Sequence, residues 1–175
     1  MTTYGFVDRF NHWLAALFFV AIACAGWALY FDSFDRATAG TVRDLHKAFG
    51  TLIGVFAIWR VGARMERGFP PSVEGASTAL AGLARTIHYT LLAGILIMPA
   101  SGLAKSLFAG RPVDLFGLVT LGSPDSKNEA FAELASTVHF TAGIVVSLAV
   151  ALHILAALKH HFLDRDQTLV RMLRG

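Results

Sequence analysis

Four apolar runs, each long enough or nearly so to cross a bilayer, dominate this chain: Trp13 to Phe31, Ala48 to Ala63, Ile87 to Phe108 and Leu134 to Leu158. Charge is absent from most of their length, and a hydrocarbon core of about 30 Å takes roughly 20 helical residues. The runs are continuous rather than alternating, which favours helices over strands. Lipid offers the backbone no hydrogen bonds, so each run must satisfy its own as a helix. The expected architecture is an all-α integral membrane four-helix bundle running up-down-up-down. Its spans cover about 9–31, 44–64, 83–108 and 133–159, within one membrane domain formed by residues 1–175.

Composition agrees. The chain is 55% hydrophobic with a mean hydropathy of +0.57, where soluble domains sit near about 45–50% apolar. An ordinary soluble enzyme is excluded. The formal charge of +3 is modest, and nothing in it marks a nucleic-acid partner. A single cysteine, Cys24, rules out an internal disulfide and a Cys-rich metal site. The first run is long for a signal peptide, and Met1 to Asn11 holds one Arg against one Asp rather than a positive start. It reads as a span.

The breaks between runs carry turn chemistry: Phe69-Pro70-Pro71-Ser72, then Gly110-Arg111-Pro112 and Gly122-Ser123-Pro124. Pro99 falls inside the third run and should kink it, with Gly102 allowing close packing beside it. Charge sets the expected orientation. Arg9, Arg60, Arg64, Arg67, Arg85, Lys159, Arg165, Arg171 and Arg174 share one side. The other side has six basic residues, and it carries seven of the acidic ones. The richer side should be cytoplasmic, with both termini. Trp13, Trp27, Tyr30 and Trp59 sit near run ends, as interfacial aromatics do.

The histidines are the chemistry-bearing residues. His139 and His153 lie within the last run, towards its two ends and fourteen residues apart. On a helix this is about four turns less 40°, with a rise of about 21 Å. The two imidazoles share a face, one towards each side of the bilayer. Histidine within a span is costly and reads as functional, and this spacing suits two stacked haems, each taking one axial ligand from this helix. At the outer depth the available partner for His139 is His46, which opens the second run. At the inner depth His153 has two, His12 and His88. Gly50 and Gly54 follow His46 on its face and admit either a flat macrocycle or a neighbouring helix. Arg60, fourteen residues after His46, suits a haem propionate, a quinone oxygen or a positive-inside anchor. His160 and His161 lie too shallow for haem, but an imidazole there could protonate a quinone. The segment after them is basic and amphipathic enough to lie on the inner surface.

These residues resemble the bacterial cytochrome b561 family. The resemblance rests on His12-Trp13, on His46 with Arg60, on Gly82-Leu83-Ala84 before His88, and on Pro99-x-x-Gly102. It continues through His139, His153, His160-His161-Phe162 and Asp166-x-Thr168-Leu169-x-Arg171-Met172, so it spans nearly the whole chain. It implies a four-span protein of the bacterial inner (cytoplasmic) membrane, in contact with lipid, with two haem b as cofactors. It implies an outer haem between His46 and His139 and an inner haem between His12 and His153. His88 and His160, with Arg60, then become candidates for a quinone pocket. The activity implied is oxidation of superoxide at the outer haem, with electrons passed to ubiquinone near the inner one. The alternative is a b-type cytochrome subunit that relays electrons between the quinone pool and a transient redox protein. The protein's share is ligation, spacing and electrostatics. Arg43 and Lys47 could attract an anion. The outer loops are slightly acidic in sum, so any attraction must be local.

Overall fold

The computed structural model describes residues 5–67, 78–125 and 127–174. Four long helices carry the chain: α1 (Phe6–Tyr30), α2 (Arg36–Arg67), α3 (Thr78–Phe108) and α4 (Glu129–Phe162). All four are long and apolar enough to cross a membrane. A two-stranded hairpin, β1 (Val113–Leu115) and β2 (Val119–Leu121), joins α3 to α4, and a short α5 (Thr168–Leu173) follows α4. The Pro70-Pro71 break falls outside the described residues.

Contacts between named residues give the up-down-up-down order. His12 at the start of α1 meets His153 near the end of α4, while Trp27 near the end of α1 meets Phe140 near the start of α4. His46 and His139 meet near the starts of α2 and α4, so those two helices run parallel. The bundle therefore has two ends, one marked by His46 and His139, the other by His12, His88 and His153.

Packing follows membrane rules. The buried apolar residues are mostly small, with Ala48, Ala57, Ala135 and Ala149 beside Val113 and Val146. Large aliphatics such as Leu17, Val55, Ile58 and Leu148 face outward. Lipid is as apolar as leucine, so helices in it associate through close contact of small residues rather than by hiding large ones. Gly94 on α3 shows how close: a Cβ there would come within 2.5 Å of the Val146 Cγ2. Pro99 sits within α3, which continues through it as one helix. Gly54 on α2 packs against the proline ring, where a Cβ would stand 2.8 Å from the Pro99 Cβ.

The starts of α2 and α4 are capped by nearby side chains. Asp35 Oδ1 accepts from the Ala37 and Thr38 amides at 3.0 and 3.1 Å before α2, and Asn128 accepts from the Phe131 amide at 3.2 Å before α4. Just beyond the end of α1, Asp32 has a φ of 50° that turns the chain so that the Ser33 amide reaches the Ala28 carbonyl at 3.0 Å.

The hairpin departs from the purely helical reading. Val113, Asp114 and Leu115 pair with Leu121, Thr120 and Val119. Asp114 holds the turn, accepting from the Gly117 amide at 2.9 Å and the Thr120 hydroxyl at 3.3 Å. Gly117 has a φ of 73°, the left-handed region glycine enters freely. Two three-residue strands between long apolar runs carry too little period-2 pattern to stand out in the sequence. The hairpin folds back on the bundle. Val113 is almost completely buried, Phe116 packs edge-on against Phe49 of α2 at 5.1 Å, and Lys47 Nζ reaches the Pro112 carbonyl at 3.5 Å.

Candidate functional site

At one end of the bundle, a cavity of about 380 Å³ opens between all four long helices and beneath the hairpin. His46 and His139 both line it. Their ring centroids stand 6.3 Å apart with the planes at 86°. Two imidazoles that ligate one metal from opposite sides, each at about 2 Å, bring their centroids to about 6 Å. At the other end, His153 lies 6.2 Å from His12 and 5.6 Å from His88, at 60° and 70°. The structure thus brings together five of the expected histidines as a pair and a triad. His153 stands within reach of both inner candidates.

The surroundings of His139 fix its tautomer. Its Nδ1 is 3.0 Å from the Met98 carbonyl oxygen and 3.1 Å from Ser101 Oγ. A carbonyl only accepts, so Nδ1 carries the hydrogen and Nε2 keeps its lone pair. This is the protonation pattern of a metal-ligating histidine, whose other nitrogen is tied to a backbone carbonyl. His46 is held differently. Its Nδ1 is buried and makes no hydrogen bond among the described residues. The Ile22 carbonyl is near enough to act on it electrostatically, but not in hydrogen-bond geometry.

Glycines shape the space. Gly26 of α1, Gly50 of α2, Gly102 of α3 and Gly143 of α4 all line the cavity, one from each helix. A Cβ on Gly102 would lie 2.9 Å from His139 Cε1, and one on Gly26 would lie 3.0 Å from His46 Cε1. Gly50 has open space before it, since a Cβ there meets nothing within 4 Å. The two glycines expected after His46 therefore divide: Gly50 fronts the cavity and Gly54 serves helix packing. The sequence held a further sign of this. His46 and His139 are each followed by glycine four residues on, at Gly50 and Gly143, one turn along the same face.

Charge at this end is sorted. Arg43, Lys47, Lys105 and Arg111 line the cavity, and no carboxylate does among the described residues. Asp44 pairs with Lys47 at 2.8 Å, but its side chain is 71% exposed. In the sequence Lys105 and Arg111 count only among the six basic residues of the outer side, because their convergence needs α3 and the hairpin in place.

At the opposite end, Arg60 is half-buried, and Asp8, Arg64 and His12 lie near enough to feel its charge. His160 is seven residues beyond His153, so it stands two turns further along the same face of α4. Its Nδ1 lies 2.6 Å from Asp166 Oδ2 and 3.2 Å from Asp164 Oδ2. Partial burial pushes the Asp166 carboxyl up, but the Thr168 hydroxyl and amide and His160 outweigh it and hold the group below its ordinary value. The Thr168 amide donates to Asp166 Oδ1 at 2.8 Å, whereas the Thr168 hydroxyl is close without hydrogen-bond geometry. Trp13, next to His12, donates from Nε1 to the Met172 carbonyl at 2.9 Å and so ties α5 to α1. His161 packs on Phe162 at 4.8 Å, away from this dyad's hydrogen bonds.

Four membrane-spanning helices with imidazoles gathered at both ends define a membrane cytochrome. The profile of the prokaryotic cytochrome b561 family matches residues 3–175, and the chain belongs to that family. It is 29% identical to cytochrome b561 homolog 2 of Escherichia coli (strain K12) over 170 residues, covering 97% of this chain and 90% of the relative. It is 26% identical to the probable superoxide oxidase CybB of Yersinia pestis over 166 residues, covering 93% and 90%. It is also 26% identical to cytochrome b561 homolog 1 of Escherichia coli (strain K12) over 177 residues, covering 99% and 98%. This is a b-type cytochrome that transfers electrons as a multi-pass protein of the bacterial inner membrane, and the family implies haem b. The residues fit that group: an imidazole with a free Nε2, a facing imidazole at ligating separation, and glycine backbone where side chains would intrude.

Proposed function

We propose that this chain is a di-haem oxidoreductase that takes electrons from superoxide at the His46–His139 end and delivers them to ubiquinone at the His153 end. The observation that carries this reading is the cavity at the first end, lined by the imidazole pair and four cationic side chains and, among the described residues, by no carboxylate. The relative named as a probable superoxide oxidase supports it. In sum, two superoxide anions, one quinone and two protons yield two O2 and one quinol.

In this reading His46 and His139 hold one haem b, and His12 and His153 hold the other. When bound, these groups supply one-electron redox chemistry and a path across the apolar interior. His12 is preferred to His88 for two reasons. Its 6.2 Å separation from His153 matches the 6.3 Å of the other pair. In addition, His12, His46, His139 and His153 are each followed four residues later by Ala or Gly, whereas His88 is followed by Leu92. A small residue one turn along leaves room beside a ligating ring.

Arg43, Lys47, Lys105 and Arg111 draw an anion towards the cavity, because convergent charge in a low-dielectric cleft raises local anion concentration. Val113 of the hairpin, with Arg111 just before it, lines that cavity. At the other end His88, His160 and Arg60 form the quinone pocket. Arg60 offers donors to a quinone oxygen. His160 holds a proton on Nδ1 against Asp166 and can pass one on from Nε2. The excess of Lys and Arg towards this end supports a cytoplasmic position for it and for both termini, where protons are taken up.

Stopped-flow mixing of the oxidised, haem-loaded protein with superoxide tests the reading. Haem reduction near the diffusion limit, with turnover on added ubiquinone, supports it. Slow reduction by superoxide together with fast reduction by quinol points instead to a relay between the quinone pool and a redox partner.

A further inference from the structure

We infer that Ser101 is a positioning residue that sets the electron-donating strength of the His139 imidazole. This rests on the reading above that His139 ligates haem. Ser101 is buried on α3, and its single hydroxyl hydrogen has two acceptors in reach, the Ile97 carbonyl at 2.6 Å and the Met98 carbonyl at 3.1 Å. The shorter contact takes it. The Ser101 oxygen then presents lone pairs to His139 Nδ1 at 3.1 Å, while the Met98 carbonyl accepts from the same Nδ1 at 3.0 Å. The reverse arrangement, with Ser101 donating to an unprotonated Nδ1, sets two acceptors face to face at 3.0 Å and is excluded.

One ring N–H is therefore shared between two acceptors, both in the turn of α3 that contains Pro99. Hydrogen bonds drawing on Nδ1–H make the ring more basic at Nε2. A more basic axial imidazole favours the oxidised metal. His46, the facing ring, has no such bond among the described residues. Ser101 is thus an acceptor at His139 that has no counterpart in hydrogen-bond geometry at His46 among the described residues. Deleting its hydroxyl leaves Met98 as sole acceptor and weakens the donor character of His139 without removing the ligand.

The site also permits a conservative control. Ser101 borders an apolar groove between α3 and α4 lined by Ile97, Ala104, Phe131 and Val138. The extra methyl of threonine can occupy that side while the hydroxyl keeps its helix-bonded position.

The test is redox titration of the haem-loaded protein, following each haem by its α band, in wild type and in the Ser101→Ala and Ser101→Thr variants. One net hydrogen bond of about 1 kcal/mol corresponds to about fivefold in the oxidised-to-reduced ratio, or about 40 mV at 59 mV per tenfold for one electron. Ser101→Ala is expected to raise the midpoint of one haem by about that amount and leave the second haem unmoved. Ser101→Thr is expected to keep the wild-type value. Unchanged potentials in Ser101→Ala, an equal shift of both haems, or the same shift in Ser101→Thr would overturn the inference. If Ser101→Ala loses haem, the threonine variant decides, since retention at wild-type potential supports the role and loss in both variants refutes it. His139→Ala keeps the two levels apart: if it retains both haems, the ligand assignment itself fails.

Discussion

The His46 and His139 rings face each other across the cavity with centroids 6.3 Å apart. They come from the starts of two parallel helices that α1 and α3 hold in place. Gly26 and Gly102 stand beside them, where an added Cβ would come within 3.0 Å of His46 Cε1 and 2.9 Å of His139 Cε1.

Removing a ligand should remove one haem and leave the other. His139→Ala and His46→Ala are each expected to halve haem content per chain, and His153→Ala to halve it by loss of the other haem. His12→Ala should behave as His153→Ala does, while His88→Ala keeps full haem content. Haem-to-protein ratios by pyridine haemochrome measure this. Full content in His12→Ala with loss in His88→Ala would exchange the two inner assignments.

Two glycines on neighbouring helices should respond in opposite ways. Gly94→Ala places a methyl 2.5 Å from the Val146 Cγ2 at the α3–α4 seam, and overpacking of this kind costs about 1–3 kcal/mol. A lower unfolding temperature in detergent is expected with or without haem. Gly50→Ala meets nothing within 4 Å and improves helix propensity. The apoprotein should be as stable as wild type or more so, while haem content falls. Equal thermal shifts for the two variants would contradict the distinction.

Much of this was legible in the sequence, and the remainder was not for identifiable reasons. The four spans showed because lipid demands long apolar runs, and the pairing of His46 with His139 showed because depth along a span can be counted in residues. The hairpin did not show, since three residues per strand are too few to establish a period. Ser101 and the Met98 carbonyl were invisible as partners of His139, because they meet it across two helices whose rotation no run reveals. Lys105 and Arg111 were legible only as basic residues of the outer side, since it takes α3 and the hairpin to bring them to one cavity with Arg43 and Lys47. The choice between His12 and His88 was open in the sequence, and both rings do lie close to His153.

Local charge should govern the encounter with an anion. Arg43→Gln, Lys105→Gln or Arg111→Gln is expected to lower the second-order rate of reduction by superoxide several-fold each, with a weaker dependence on ionic strength. The rate of reduction from the quinol side should not change. Stopped-flow rates at two salt concentrations check both. Equal losses from both sides would mean that the substitutions damaged the fold.

The turn between α4 and α5 should depend on pH through Asp166. Its carboxyl is held below the ordinary value of 3.8, so the folded turn binds fewer protons than the unfolded one. Its contribution is complete above 3.8 and is lost as pH falls through the folded value. Hydrogen exchange at the Thr168 amide, which donates to Asp166, should lose protection over that acid range after correction for intrinsic rates. In Asp166→Asn the acid-dependent loss should disappear. Identical profiles for the two proteins would assign the loss to another group.

Low-temperature EPR of the oxidised protein tests most directly whether two imidazole pairs each grip one haem. Two low-spin ferric signals of bis-imidazole type per chain are expected, one abolished by His139→Ala and the other by His153→Ala. A single such signal in wild type, or both signals surviving either substitution, would contradict it.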